Sequence, residues 1–397
     1  MTAMERRRRV NELAWCAGLL ALMGQWIVVH ALGWHPAAPW EAILPGLGIF
    51  GAAFLLSWGA ELAELEISQA LALAFLALMA VLPEYAVDMY LAWQAAHDPS
   101  YTGYATANMT GANRLLIGVG WPVILLCYWL KTRRRQIVLD PKEQGTELAT
   151  LIFATAYAFV IPLKRTLSIV DAVILVGLFV RYLIRSSRVA HAPPVLEGPP
   201  AQMARLPRPW RRLLTLALFL LPGYTIFIAA APFANGLLHS ARHFGVEEFL
   251  VIQWLAPLAS ESPEFIVAIL FALRHKPQAG FGALVSSKVN QWTLLIGTLP
   301  LVYAISGGHL GAMPLDARQA EEIFLTAAQS LLAIVVLANW RFGLGEAALL
   351  LGLFATQLVV TATWARTAYA VGYVLLSAGY LLRRENRRAL GSLLRRV

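Results

Sequence analysis

Two carboxylates stand where chemistry is costly. Glu84 follows Pro83 in Ala80-Val81-Leu82-Pro83-Glu84-Tyr85, and Glu264 follows Pro263 in Ser260-Glu261-Ser262-Pro263-Glu264-Phe265. Both lie midway along apolar stretches long enough to cross a bilayer, where an acid is expensive to bury and marks an ion pathway by default. Asp88 shares a helix face with Glu84, one turn on, and Glu261 stands three residues before Glu264. Each acidic stretch is followed by a polar one. Asn113 and Arg114 lie in the first, and Ser286, Ser287, Lys288 and Asn290 in the second. Amides and hydroxyls supply oxygen ligands for cations. The competing reading is a closed ion network of these acids with Arg114 and Lys288, binding nothing. Four acids against two bases leave negative charge over, and buried ion pairs rarely stabilise better than apolar packing, so a cation-binding function is expected.

The elements that hold these residues are membrane spans. The 397 residues are 58% hydrophobic and 14% charged, with a mean hydropathy of +0.61, against about a quarter charged residues in soluble proteins. At about 20 apolar residues per span, twelve transmembrane helices are expected, at 10–34, 42–58, 66–95, 102–130, 147–164, 168–185, 211–238, 248–273, 279–305, 320–340, 345–363 and 367–382. The apolar run after Arg6–Arg9 exceeds a signal-peptide core and has no clear cleavage site, so it reads as a retained span. From an inside N-terminus, Lys131, Arg133–Arg135, Arg185, Arg188, Arg205, Arg208, Arg211, Arg212 and the arginine-rich tail fall inside. Only Lys164, Arg165, Arg242, Arg318 and Arg366 fall outside. That asymmetry places both termini in the cytoplasm, with the inner (plasma) membrane the expected location.

Two helices, 1–41 and 364–397 with its basic tail, flank a first repeat at 42–185 and a second at 211–363. The segment 186–210, with Pro193-Pro194, Pro199-Pro200, Pro207 and Pro209, reads as an extended cytoplasmic linker. Matched spans of the two repeats run in opposite directions, an all-α polytopic architecture of inverted five-helix repeats, with helices broken at Pro83 and Pro263 and a site near the midplane. Glu61, Glu64 and Glu66 read as a solvated acidic helix end. The two cysteines and eight histidines show no metal-site spacing. No nucleophile–base set or phosphate loop is present, so an enzyme and a cofactor are not expected. The expected partners are lipid and inorganic cations, not nucleic acid.

On these motifs the sequence resembles the sodium/calcium exchanger superfamily of cation antiporters. Each inverted repeat of that family carries Gly-Thr-Ser-x-Pro-Glu and then Gly-Asn-x-x-Gly-Ser-Asn or Asp on the next helix. The resemblance implies that Glu84 and Glu264 are paired cation-binding carboxylates and that Asn113 is the amide ligand of the first repeat. Glu261, Ser286 and Ser287 would complete the site. Several positions depart from the pattern. Ala80-Val81 replaces Thr-Ser, Ser260-Glu261 adds an acid, and Lys288 stands where the second repeat has Asn or Asp, unless a shift of two residues puts Asn290 there. The implied function is secondary active exchange of Ca2+ or another cation for Na+ or H+ by alternating access. Calcium seeks six to eight oxygens, and a lysine ammonium among them opposes it. A Na+/H+ exchanger in which Lys288 replaces a ligand is therefore the alternative. A non-transporting membrane scaffold or sensor, its acids locked by Arg114 and Lys288, is the reading from another class.

Overall fold

The computed structural model describes residues 3–66, 81–188, 196, 198–360 and 362–395. The chain is a helical membrane protein, and helical segments coincide with all twelve expected spans; for the span at 66–95 the described helix is Leu82–Ala95, and 67–80 lie outside the described residues. Seven of the described helices are long and apolar enough to cross a bilayer by length and composition: Glu12–Ala31, Trp40–Ala63, Ser100–Thr132, Gly145–Lys164, Arg208–Phe244, Glu248–Leu273 and Ala317–Leu337. Leu344–Val359, with 16 residues, rises only ~24 Å at 1.5 Å per residue.

The chain divides into two compact units, 1–90 with 190–263 and 91–189 with 264–397. Each repeat contributes to both, and the division falls inside both Pro-Glu helices. In the first unit, Ala3–Ala31 and Arg208–Phe244 both pack on Trp40–Ala63. Small residues permit this. A Cβ on Gly51 would sit 2.7 Å from the Leu19 carbonyl oxygen, and one on Gly236 would sit 2.6 Å from the Ala42 nitrogen, so backbones meet where side chains would have kept them apart.

In the second unit, Ala317–Leu337 is central and packs on Ser100–Leu115, Gly145–Ala158 and Thr363–Leu381. Two short antiparallel ladders join the halves: Gln136–Val138 with Arg341–Gly343, and Thr166–Leu167 with Met313–Pro314. The internal repeat is visible residue by residue. A shift of 175 carries the π-helical turn Leu116–Gly120 onto Gln291–Leu295. It carries left-handed Arg133 onto Gly308 and Arg165 onto Trp340. It also carries a helix cap onto its counterpart: Ser168 N donates to Asp171 Oδ2 (2.6 Å), and Gly343 N donates to Glu346 Oε2 (2.8 Å).

Three expectations are corrected. Glu248–Leu273 runs unbroken through Pro257 and Pro263. Proline removes one backbone donor, a loss that a membrane helix tolerates without ending. The linker is not extended throughout, since Pro199–Met203 is a helical turn and Arg208 opens the next long helix. Proline suits first-turn positions, which need no N–H. The acidic end is not simply solvated. Glu66 accepts from Arg211 Nε (2.8 Å) and Arg212 Nε (2.7 Å). The basic tail forms the helix Arg384–Arg395, which packs on Gly145–Ala158 and Ala317–Leu337 with Leu393 fully buried.

Candidate functional site

In the first unit, Glu84 is 2% exposed, Asp88 0% and Glu261 2%. Glu84 and Asp88 lie one turn apart on Leu82–Ala95, as their spacing requires. The same helix is fastened by Tyr90 Oη, which donates to Asn235 Oδ1 on Arg208–Phe244 at 3.0 Å. Burying three carboxylates in one unit raises the free energy of that unit unless positive charge or protons compensate them.

The second unit gathers the remaining residues around the two π turns. Glu264 is half-buried and its Oε2 accepts from Ser287 Oγ at 2.6 Å. Neighbouring Ser286 turns elsewhere: its Oγ lies 2.7 Å from Tyr182 Oη, which reaches Glu147 Oε1 at 3.4 Å. Lys288, 1% exposed, donates from Nζ to Asn113 Oδ1 at 2.7 Å and lies 4.2 Å over the Trp292 ring. An amide oxygen and a π face thus take the ammonium in place of water. Asn113 Nδ2 donates to the Met109 carbonyl at 2.8 Å, which fixes which end of the amide faces the lysine. Asn290 is buried one residue before the second π turn, and Gln291, within it, is wholly buried. A π turn rotates the following side chains out of α-helical register and is common at functional sites. Here two such turns follow Asn113 and Lys288 at equal distance.

Arg114 takes a different partner from those expected. Its Nη2 donates to Glu322 Oε2 at 2.6 Å, with both side chains nearly inaccessible (3% and 4%). Arg366 Nε stands 3.9 Å from Glu322 Oε1 and 3.1 Å from Glu321 Oε2. Arg366, assigned to an outer loop, thus opens Thr363–Leu381 against the central helix. Lys164, assigned likewise, pairs with Asp171.

Sequence reasoning passed over Glu147, Tyr182, Glu322 and Arg366. A signal for two of them was present. The shift that superposes the π turns carries Glu147 onto Glu322, and it carries Asn113 onto Lys288. An acid recurring at the same place in both halves is a pattern, though one readable only once the register is known.

The sequence matches the family described as Sodium/calcium exchanger protein over residues 42–188 and 214–363. Among curated proteins none matches it. Among solved structures, the crystal structure of the H+/Ca2+ exchanger CAX is 42% identical, with a TM-score of 0.92, covering 97% of this chain and 98% of that one. Native YfkE is 17% identical (TM-score 0.59; 91% and 98% covered). The sodium-calcium exchanger NCX_Mj is also 17% identical (TM-score 0.54; 80% and 97% covered). The last two likenesses are of fold.

Proposed function

Because this chain belongs to the sodium/calcium exchanger protein family and is a cation antiporter, we propose that protons are its coupling ion and that Lys288 is the internal cation its cargo must displace. The observation that carries this reading is the 2.7 Å bond from Lys288 Nζ to Asn113 Oδ1. The oxygen expected to ligate a cargo cation is held by an ammonium. A lysine is a compact charge that can be removed by losing a proton, unlike arginine. Arg114 is fixed on Glu322, which leaves Lys288 as the basic group able to yield.

In this mechanism Lys288 loses its proton as cargo enters, and Asn113 Oδ1 turns to the cation. Glu264 joins it, with Ser287 supplying a hydroxyl, while Ser286 stays on Tyr182. The buried acids Glu84, Asp88 and Glu261 carry further negative charge for the exchange, and Asn290 offers a neutral amide. Release reverses the exchange, and the returning proton restores the ammonium. The likeness to an exchanger named for H+ and Ca2+, at 42% identity, makes Ca2+ the first cargo to test. Since one lysine lowers the negative charge available, Na+ is the second. Both termini on the cytoplasmic side of the inner membrane follow from the placement of Lys and Arg.

The test is flux into proteoliposomes. An imposed pH gradient is expected to drive 45Ca2+ uptake, and a Na+ gradient is not. Glu84→Gln and Glu264→Gln are each expected to abolish flux while the protein still elutes as a folded species. Lys288→Asp is expected to retain cation binding and lose its dependence on the pH gradient. Uptake driven by Na+ and indifferent to pH would overturn the proposal.

A further inference from the structure

Glu147 takes no part in the exchange described above, yet it is a buried acid in the first turn of Gly145–Ala158. Tyr182 Oη donates to its Oε1 at 3.4 Å, and its Oε2 has no hydrogen-bond partner among the described residues. No salt bridge reaches it among those residues. The helices packed on Gly145–Ala158 do carry charge. Lys164 of Val160–Lys164 pairs with Asp171 of Ile169–Ser186, which also accepts from Tyr157 Oη at 2.6 Å. On that second helix Arg181 lies 5.8 Å over the Phe153 ring, and Arg185 is half-exposed near its end. On Ala317–Leu337, Glu322 is held by Arg114 and Glu321 by Arg366, with Arg318 half-exposed in the first turn. On Pro277–Asn290, Lys288 is held by Asn113. Arg387 and Arg388 of the tail helix are exposed, as is Glu143 just before Gly145.

A buried carboxylate with no cation beside it is costly while ionised, and a proton relieves that cost. Two hydroxyls give the proton a consequence elsewhere. Tyr182 Oη also lies 2.7 Å from Ser286 Oγ, and either oxygen can donate. Against an ionised Glu147 the Tyr182 O–H points at the carboxylate, and Ser286 donates to the phenol. Once Glu147 carries a proton, its own O–H can donate to Tyr182, which then turns its O–H to Ser286. Ser286 immediately precedes Ser287, whose Oγ donates to Glu264 Oε2 at 2.6 Å. The charge state of Glu147 is thereby carried to the neighbour of a residue that holds Glu264. We propose that Glu147 carries one of the protons exchanged for cargo, with Tyr182 and Ser286 as positioning residues that link it to Glu264. The inference rests on the proton coupling proposed above. One O–H bond forms at Glu147, with water giving up the proton, as cargo leaves. That bond breaks and water takes the proton back as cargo arrives. The sign is the one exchange requires, because a cation at Glu264 attracts an ionised carboxylate in the same low-dielectric unit. On the proposed orientation the first turn of Gly145–Ala158 faces the cytoplasm, and exposed Glu143 marks the side from which water reaches it.

The experiment counts protons rather than flux. The full chain in detergent is titrated with Ca2+ by calorimetry in two buffers of different ionisation enthalpy. This reads the protons released per Ca2+ bound, whether or not a variant still transports. Glu147→Gln has no proton to exchange and is expected to release about one fewer per Ca2+ than the unmodified protein. Tyr182→Phe keeps the acid but cuts its link, and is expected to lose most of the same proton. Glu322→Gln, which alters the matching acid of the other half, is expected to leave the count unchanged. Should Glu147→Gln fail to fold, Tyr182→Phe decides. An unchanged count in the deciding variant, or a loss as large in Glu322→Gln, would overturn the proposal and leave proton coupling standing. Ca2+ binding to the unmodified protein with no proton released would remove both.

Discussion

Glu147 and Glu322 hold the same place in the two halves of the second unit, yet their surroundings differ. Glu322 is locked 2.6 Å from Arg114 with Arg366 beyond it. Glu147 meets only a phenol: Tyr182 Oη lies 3.4 Å away, and its Oε2 has no hydrogen-bond partner among the described residues. The same divergence separates Asn113 from Lys288, one a neutral amide and the other a cation, at equivalent positions and bonded to each other. Duplication preserved the backbone down to its π turns and left-handed caps while the charges parted. In one half the acid sits in a fixed ion pair. In the other the acid faces the Tyr182 hydroxyl.

The largest effect expected from this difference is on Arg114. Arg114→Met leaves the Glu322 carboxylate buried against a thioether, and breaking a buried pair from one side costs 3–5 kcal/mol. Arg366 remains 3.9 Å away, so the lower end, about 3 kcal/mol, is expected from denaturant unfolding in detergent. Arg114→Met combined with Glu322→Leu is expected to recover most of that loss, because replacing both charges by apolar groups is often neutral. A double variant as unstable as the single one would show that Glu322 is held by something other than Arg114.

Amide substitutions put the two acids side by side. Glu322→Gln removes a charge-assisted bond and is expected to cost ~1.5–3 kcal/mol. Glu147→Gln keeps an acceptor for Tyr182 and is expected to cost less than ~1 kcal/mol, while altering the pH dependence of cation flux. Equal losses in melting experiments would erase the distinction between the halves.

Packing around the π turns sharpens the comparison further. A Cβ on Gly118 would collide first with Phe354 Cγ and then with its Cβ and Cδ2 at 2.6 Å, whereas one on Gly297, facing the other half, meets Val176 Cγ2 at 3.0 Å. Gly118→Ala is therefore expected to cost about 1–3 kcal/mol through overpacking, and Gly297→Ala less, since a methyl can give way more easily than a Cβ. Phe354→Leu should relieve Gly118→Ala only in part, because the colliding Cβ and Cγ are atoms that both residues have, and only the ring carbon Cδ2 is exchanged.

How much of this was legible in the sequence depends on the scale of the pattern. The spans were, because twenty apolar residues have one reading in a membrane. The inverted duplication was too, because Pro83-Glu84 and Pro263-Glu264 repeat in oppositely running helices. Partners were not. Arg114 meets an acid 208 residues on, and nothing local to either residue announces it. Nor was the register of the second half, since Lys288 and Asn290 both fit the motif. The π turns, which align Lys288 with Asn113, depend on packing that no short stretch specifies. The break assigned to Pro263 failed because a membrane helix can carry on through a proline that costs it one donor, and spacing alone does not say where it will.

The smallest effect is expected where the same chemistry is wet. Glu66, in the turn that follows Trp40–Ala63, is held below the usual carboxylate range first by Arg212 and then by Arg211, through hydrogen bonds that favour its charged form. Its side chain is largely covered, at 11%, but the cover is itself charged, and Arg212 is 67% exposed, so water and salt reach the cluster and weaken it. A depressed carboxylate pKa contributes stability above the unfolded value, near 4.3, and loses it as pH falls toward the folded one. Glu66→Gln is therefore expected to lower the melting temperature slightly at pH 7 and low salt. The gap from the unmodified protein should close as pH drops below about 4 or as salt rises to about 1 M. The Arg114→Met deficit, shielded from solvent, should persist in high salt. A Glu66→Gln deficit equally indifferent to salt would mean that the cluster is sealed from water, and the contrast between surface and buried pairs would fall with it.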